Sequence, residues 1–267
     1  MQLLVSVSGP VEARAALQGG ADVIDAKDPR RGALGPVPLP RLEAIRAAVA
    51  GAQPLSAALG DAASETVLAD TVAAAAAVGL AFVKVGFAGV TSEARARRLA
   101  QAARRGAAGE TRVVLVAYAD WRHAESLTPA CVVGVAADAG AAGVLLDTSG
   151  KGAPLFAITS LASAAAWVAA VHAAGLFAAL AGSLSGPDFA QVRAVGADVV
   201  GVRGAACVGG RTGRVSRSRV AALRASAGAA PPARVLVGRG VLPERDIELP
   251  EIVRRDDKML HALRERA

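Results

Sequence analysis

The sequence predicts an α/β fold, a closed (β/α)8 TIM barrel, and three observations predict it. Eight short apolar runs alternate with eight Ala-rich stretches of helical periodicity. The same phrase of helix end, glycine, small residues and strand recurs at 19–24, 78–85, 139–146, 174–180 and 195–202. The chain has 267 residues and is 53% hydrophobic, which suits one barrel domain of about 250 residues.

The strand candidates in order are 3–7, 22–27, 54–59, 81–86, 112–118, 143–148, 177–182 and 198–204. Each is bounded by Gly, Pro, Asp or Ser. The helices expected between them are 11–18, 39–50, 64–78, 92–106, 126–139, 159–174, 187–195 and 214–226. A doubly wound open sheet is the rival arrangement, but no GxGxxG follows the first strand. The pattern breaks after 227, so the barrel domain is placed at 1–227. GAAPPAR then leads into a charged C-terminal extension, 228–267. That stretch reads as a solvated helix that packs on the barrel or on a neighbouring subunit.

The net charge is +7 and the pI about 10.4, which by itself suits nucleic acid, an anionic membrane or an anionic small substrate. Aromatics are only 3%, and the arginines are spread along helices among acidic residues. Both facts argue against nucleic acid. No run of about 18 apolar residues is present, so no membrane span is expected. The N-terminus enters a strand directly with no basic leader, and a cytoplasmic protein is expected. Cys131 and Cys207 share no metal-ligand spacing with the three histidines, so no metal is expected.

Four lysines, Lys27, Lys84, Lys151 and Lys258, stand against 26 arginines. Where any cation suffices, this chain uses Arg, so a retained Lys marks a position where Arg cannot serve. Arg stays protonated and carries no nucleophilic amine. In a barrel, the C-terminal strand ends face the active-site mouth. Asp25 and Lys27 end the second strand, two residues apart and therefore on one side. Lys84 lies in the fourth strand, between Val83 and Val85, which should face the helices. Asp147 ends the sixth, with Lys151 in the DTSGKG loop beyond it. An ordinary ion pair explains any one of these, but not the placement of three lysines at even-numbered strand ends. A water-poor site and neighbouring cations would depress a lysine pKa and free a nucleophilic amine.

Gly-rich loops follow the last two strands, AGSLSG (181–186) and RGAACVGG (203–210). Barrel enzymes hold phosphate there with backbone N–H groups. Gly182, Ser183, Arg203 and Gly204 are the candidate ligands, and Arg203 could equally be a strut within the barrel. Asp61 and Asp120 lie near the mouth and could be helix caps. Tyr118 ends the fifth strand and could reach substrate. Cys207 and His172 read as packing or structural residues, and His123 has no metal partner at useful spacing.

Taken together, LLVSV, GGADVIDAKDPRRGALG, FVKVGFAGV, AYAD, LLDTSGKG, LAGSL and GADVVGVRGAACVGG resemble (5-formylfuran-3-yl)methyl phosphate synthase, the furan-forming enzyme of methanofuran biosynthesis. The resemblance runs in order from residue 3 to about 225. It implies a TIM-barrel lyase that condenses two glyceraldehyde 3-phosphate molecules with loss of phosphate and water. It implies Lys27 as the Schiff-base lysine and Lys84 as proton acceptor, with acid–base support from Asp25, Asp147 and Lys151. It also implies that no cofactor is needed. In such a sequence, an iminium at Lys27 is deprotonated by Lys84 and phosphate is expelled. The enamine carbon then attacks the second aldehyde, and Lys151 with Asp147 assists dehydration and ring closure. The small apolar helix faces and the extension suit contacts between copies, so a homo-oligomer is expected. Another Schiff-base phosphosugar lyase would use the same lysines. A non-enzymatic polyanion-binding protein is the remote alternative.

Overall fold

The computed structural model describes residues 1–228. The proposed C-terminal extension, from residue 229 on, lies outside the described residues. Eight parallel strands close into a barrel in sequence order. They are β1 (Gln2–Val7), β2 (Val23–Ala26), β3 (Leu55–Asp61), β4 (Phe82–Gly86), β5 (Arg112–Tyr118), β6 (Gly143–Asp147), β7 (Phe177–Leu180) and β8 (Val199–Val202). β1 closes on β8, with Leu3 opposite Val200. Each expected strand is present, and the ends differ from expectation by at most two residues.

The outer layer comprises α1 (Pro10–Gln18), α2 (Leu39–Val49), α3 (Glu65–Ala77), α4 (Glu93–Gly106) and α5 (Pro129–Asp138). It continues with α6 (Leu155–Ile158), α7 (Leu161–Ala173), α8 (Phe189–Ala194) and α9 (Arg217–Ala227). Local chemistry sets several of the starts. Ser92, Thr128 and Ser160 accept hydrogen bonds from the amides of Arg95, Cys131 and Ser163. Pro129 fits the first turn of α5, where no N–H is needed, so that helix begins three residues later than expected. The recurring phrase owes its glycine to the helix end. Gly20, Gly79, Gly140, Gly175 and Gly196 all have φ between 64° and 85°, which a side chain would resist.

Alternation along the strands sorts the core into two shells. On β4, Val83 and Val85 pack outward with Leu68, Val72 and Leu99, as expected, while Phe82 faces the bore. On β5, Val113, Leu115 and Ala117 point outward, and Val114, Val116 and Tyr118 point inward. Both faces are buried, so the strands read as continuous apolar runs. The N-terminal end of the bore is filled by Phe82 and Phe177, edge to face at 5.5 Å, with the Arg112 guanidinium 4.8 Å above the Phe82 ring. The apolar filling ends partway up, and polar side chains take over toward the C-terminal mouth.

Two features depart from the expected pattern. The segment after β8 first turns back as a small hairpin, β9 (Cys207–Val208) with β10 (Arg214–Val215). The final helix therefore starts at Arg217 rather than 214. The loop after β6 also contains the one-turn α6, whose Leu155 amide donates to the Gly182 carbonyl 2.9 Å away. Two mouth loops are tied together by that bond. Among the described residues, no helix is long and apolar enough to cross a membrane.

Candidate active site at the barrel mouth

Lys27, Lys84, Asp147 and Lys151 line one cavity of about 270 Å³, together with Ser6, Ser56, Gly182, Ser183, Arg203 and Gly204. Lys27 and Lys151 enter from just past the C-terminal ends of β2 and β6, Lys84 enters from the middle of β4 rather than from its end, and the Gly-rich loops after β7 and β8 complete the rim.

The first ion pair is strand-borne. Lys84 Nζ lies 2.7 Å from Asp25 Oδ2. The same oxygen accepts from the Ser6 hydroxyl at 2.8 Å, and Asp25 Oδ1 accepts from the Ser56 hydroxyl at 2.8 Å. Asp25 is fully buried and lies behind Lys84, Ser6 and Ser56 rather than on the cavity wall. Three donors replace the water such a carboxylate would need. Sequence reading passed over the two serines. Their signal was a hydroxyl at an inward-facing position of a strand otherwise made of Leu, Val and Ala.

The second pair is loop-borne. Lys151 Nζ lies 2.8 Å from Asp147 Oδ1 and also donates to the Thr148 carbonyl. The Thr148 amide donates to Asp147 Oδ1 at 2.7 Å. Burial pushes the Asp147 carboxyl up, but the charges of Lys151 and Lys27 and these hydrogen bonds outweigh it. Asp147 is held below its ordinary pKa. The loop has an anchor of its own. Asp120 receives the Ser149 and Gly150 amides, one on each carboxylate oxygen, both at 2.8 Å. Asp120 therefore fixes the loop that carries Lys151 and caps no helix.

Lys27 lies between these pairs. It is 8% exposed, and its amine has no hydrogen-bond or ion-pair partner among the described residues. Burial lowers its pKa from 10.5 to about 8; Asp147 and Asp25 oppose the shift, while Lys84 and Lys151 add to it. At pH 7 roughly a tenth of such an amine is neutral, against well under a thousandth for a free lysine.

The rim has backbone donors to spare. The amides of Gly182, Ser183, Gly204 and Ala205 have no protein acceptor among the described residues. Gly182 has φ +105° and Ser183 φ +54°. A Cβ at 182 would also come within 2.9 Å of the Thr148 methyl group, so the loop requires glycine there. Left-handed backbone at Ser183 is uncommon for a residue with a side chain and turns successive N–H groups toward one concavity, an arrangement that suits anions.

Arg203 takes the strut role of the two that its position allowed. Its Nε donates to the Arg211 carbonyl at 3.0 Å. Its Nη1 donates to the Ser6 carbonyl at 3.0 Å and to Glu12 Oε2 at 2.6 Å. Its Nη2 donates to Glu12 Oε1 at 3.1 Å and to the Gly213 carbonyl at 2.9 Å. These bonds take up all five N–H groups of a guanidinium, and none is left for a phosphate. The expectation of Arg203 as a phosphate ligand is corrected accordingly. The physical reason is Glu12, which packs at the β8–β1 closure and makes a two-point carboxylate contact.

Tyr118 is buried and donates its hydroxyl to Asp61 Oδ1 at 2.7 Å. It does not line the cavity. That bond, burial and nearby carboxylates raise its pKa. Asp61 also receives the Ala88 amide, so the pair ties the loops after β3 and β4. A Cβ at Gly86 would stand 2.6 Å from the Tyr118 hydroxyl, and only glycine admits that approach. His172 pairs with Asp198 at 2.8 Å, away from the cavity. Cys207 is buried beside Arg203. Among the described residues, no group of His, Cys, Asp and Glu is placed to hold a metal ion.

Comparison with known proteins decides the family. The model of the 4-HFC-P synthase family matches residues 3–224. The chain belongs to the 4-HFC-P synthase family. It is 39% identical over 218 residues to the (5-formylfuran-3-yl)methyl phosphate synthase of Methanopyrus kandleri, covering 80% of this chain and 92% of that protein. It is 37% identical over 231 residues to the enzyme of the same name from Methanocaldococcus jannaschii, covering 84% and 98%. Among solved structures, orotidine 5'-phosphate decarboxylase from Pyrococcus horikoshii superposes with TM-score 0.60 at 14% identity, covering 86% of this chain and all of that one. A 3-hexulose-6-phosphate synthase superposes with TM-score 0.56 at 21% identity, covering 85% and 99%. At those identities the structural likeness speaks for the TIM-barrel fold of this 4-HFC-P synthase family member.

Proposed function

We propose that this chain is a lyase that joins two glyceraldehyde 3-phosphate molecules into (5-formylfuran-3-yl)methyl phosphate through a Schiff base at Lys27. The observation that carries this reading is the state of Lys27. Its amine is buried and unpartnered and has a depressed pKa, while both neighbouring lysines hold carboxylates. An amine in that setting is poised to attack a carbonyl.

The roles of the other groups follow from their contacts. Lys27 condenses with one aldehyde, releasing water and leaving an iminium that acidifies the adjacent carbon. Lys84 takes the proton from that carbon once its own ammonium proton has passed to the Asp25 carboxylate 2.7 Å away. The resulting enamine permits phosphate to leave and a carbon–carbon bond to form with the second triose. Asp147 and Lys151 move protons during dehydration and ring closure. Atom balance requires release of one phosphate and two waters in all. The free amides of Gly182, Ser183, Gly204 and Ala205 support a phosphate subsite on the rim.

Glyceraldehyde 3-phosphate as sole substrate tests the reading. The expected product is an ultraviolet-absorbing furan aldehyde, with one inorganic phosphate released per furan formed. Consumption of the triose phosphate without that stoichiometry, as by an ordinary phosphosugar aldolase, would overturn it.

A further inference from the structure

Arg211 has no part in the chemistry above, yet it lines the same cavity. It sits in the turn between β9 and β10, and the structure fixes both its ends. Its own carbonyl is held by Arg203 Nε at 3.0 Å, and Arg203 Nη2 grips the Gly213 carbonyl at 2.9 Å. From that anchored turn the side chain crosses the mouth to the loop after β2. There Nη1 donates to the Pro29 carbonyl, and Nη2 donates to the Gly32 carbonyl at 2.7 Å.

Those two bonds orient the guanidinium without exhausting it. Two of its five N–H groups are used, and the other three have no acceptor among the described residues. The head is half-buried and stands beside the loop that begins at Lys27, since Pro29 is only two residues further on. Arg203 contrasts with it, because every donor of that residue is consumed inside the protein. A fixed, partly desolvated guanidinium with donors to spare, facing a cavity, suits two-point recognition of a phosphate. The free amides lie on the β7 and β8 loops, where Gly204 stands against the Arg211 backbone, while the bonds of Arg211 to Pro29 and Gly32 turn its guanidinium toward the β2 loop.

We propose that Arg211 is the ligand of a second anion subsite, on the β2 side of the mouth, which takes the phosphate of one of two phosphorylated substrate molecules. The inference rests on the reading that two phosphorylated trioses meet in this cavity. It assigns one phosphate to the amide cradle and the other to Arg211. Arg203 cannot replace it, because Arg203 is committed to holding the turn from which Arg211 projects.

Glycerol 3-phosphate is the probe, because it carries the phosphate but no aldehyde and so binds independently of any Schiff base. Calorimetric titration of the full chain compares the wild type with Arg211→Gln and Arg211→Lys. The wild type should bind two equivalents. Arg211→Gln should weaken one of them by tenfold or more, the scale of a lost charge-assisted pair. Arg211→Lys should lie between, since it keeps the charge but not the fork. Borohydride trapping of unphosphorylated glyceraldehyde should be unchanged in both variants. Undiminished binding of two equivalents by Arg211→Gln would overturn the assignment, as would a wild type that binds fewer than two. An equal loss toward unphosphorylated glyceraldehyde would overturn it too, reducing Arg211 to a strap between loops. A failure to form furan with the glycerol 3-phosphate result intact would count against the proposed reaction and leave the subsite standing.

Discussion

Two lysine–carboxylate pairs serve one cavity and are built on different supports. Asp25 and Lys84 belong to β2 and β4, and their side chains are 0% and 5% exposed. Ser56, on the intervening β3, bonds the same carboxylate. Asp147 and Lys151 are joined through a Gly-containing loop, and the Lys151 side chain is 22% exposed. That loop keeps its place through the two amides held by Asp120. The first pair moves only if the barrel moves, whereas the second can adjust as its loop does. In the proposed reaction, proton removal next to an iminium calls for a fixed base. Successive dehydration and ring closure call for a group that can follow a changing substrate. Lys27 lies between the two pairs and responds to both.

The largest separation between the pairs should appear in stability. Lys84→Met leaves a fully buried carboxylate without its cation and should cost about 3–5 kcal/mol. Lys151→Met leaves the buried Asp147 carboxylate with the Thr148 amide and the nearby Lys27 charge, and should cost less, about 2 kcal/mol. Urea unfolding midpoints measure both, and equal losses would break the comparison.

Lys27 itself should destabilise the fold at neutral pH. Its folded pKa of about 8 lies below the value of 10.5 for an unperturbed lysine. Between those values the unfolded state binds more protons, so stability rises with pH there, and below pH 8 the full penalty applies. Lys27→Met should therefore stabilise the protein by up to about 3 kcal/mol at pH 7. The gain should shrink as pH rises from 8 to 10.5. Parallel stability curves for the two proteins across that range would contradict the assignment.

Charge removal around Lys27 should move the pH profile in opposite directions. Asp147 raises the Lys27 pKa and Lys84 lowers it. Asp147→Asn should shift the rising limb of iminium formation to lower pH, and Lys84→Met should shift it higher, each by roughly one unit. Stopped-flow measurement of imine formation resolves the two limbs, and shifts in the same direction would break the contrast.

The smallest effect on stability belongs to the anchor of the loop pair. Asp120→Asn keeps one acceptor and loses the other, at about 1 kcal/mol. Turnover should fall about tenfold with little change in affinity for glycerol 3-phosphate, because Lys151 loses its register. An unchanged kcat would mean that the loop needs no anchor.

The barrel was legible because its signals are local. Strand runs, helix caps and the repeated glycine each depend on a few adjacent residues, so the boundaries came out within a few positions. The lysine cluster was legible because composition made each Lys conspicuous and barrel geometry gathers strand ends. Contacts between distant parts of the chain were not. Arg203 meets Glu12 across a sequence separation of 191, through a closure that no local pattern encodes. The sequence therefore pointed to Arg203 and passed over Arg211 in a chain rich in arginine. Asp25 seemed to share the mouth with Lys27, since two strand positions apart means the same face. The structure sets it deeper, because Ser6, Ser56 and Lys84 close over it.

If Lys27 is the proposed nucleophile between two lysines already engaged, it alone should trap the substrate. Borohydride reduction in the presence of glyceraldehyde 3-phosphate, followed by peptide mass mapping, tests it directly. A stable adduct should form on the peptide containing Lys27, abolished in Lys27→Arg and retained in Lys84→Arg and Lys151→Arg. An adduct on Lys84 or Lys151, or no adduct in a protein that still forms product, would contradict it.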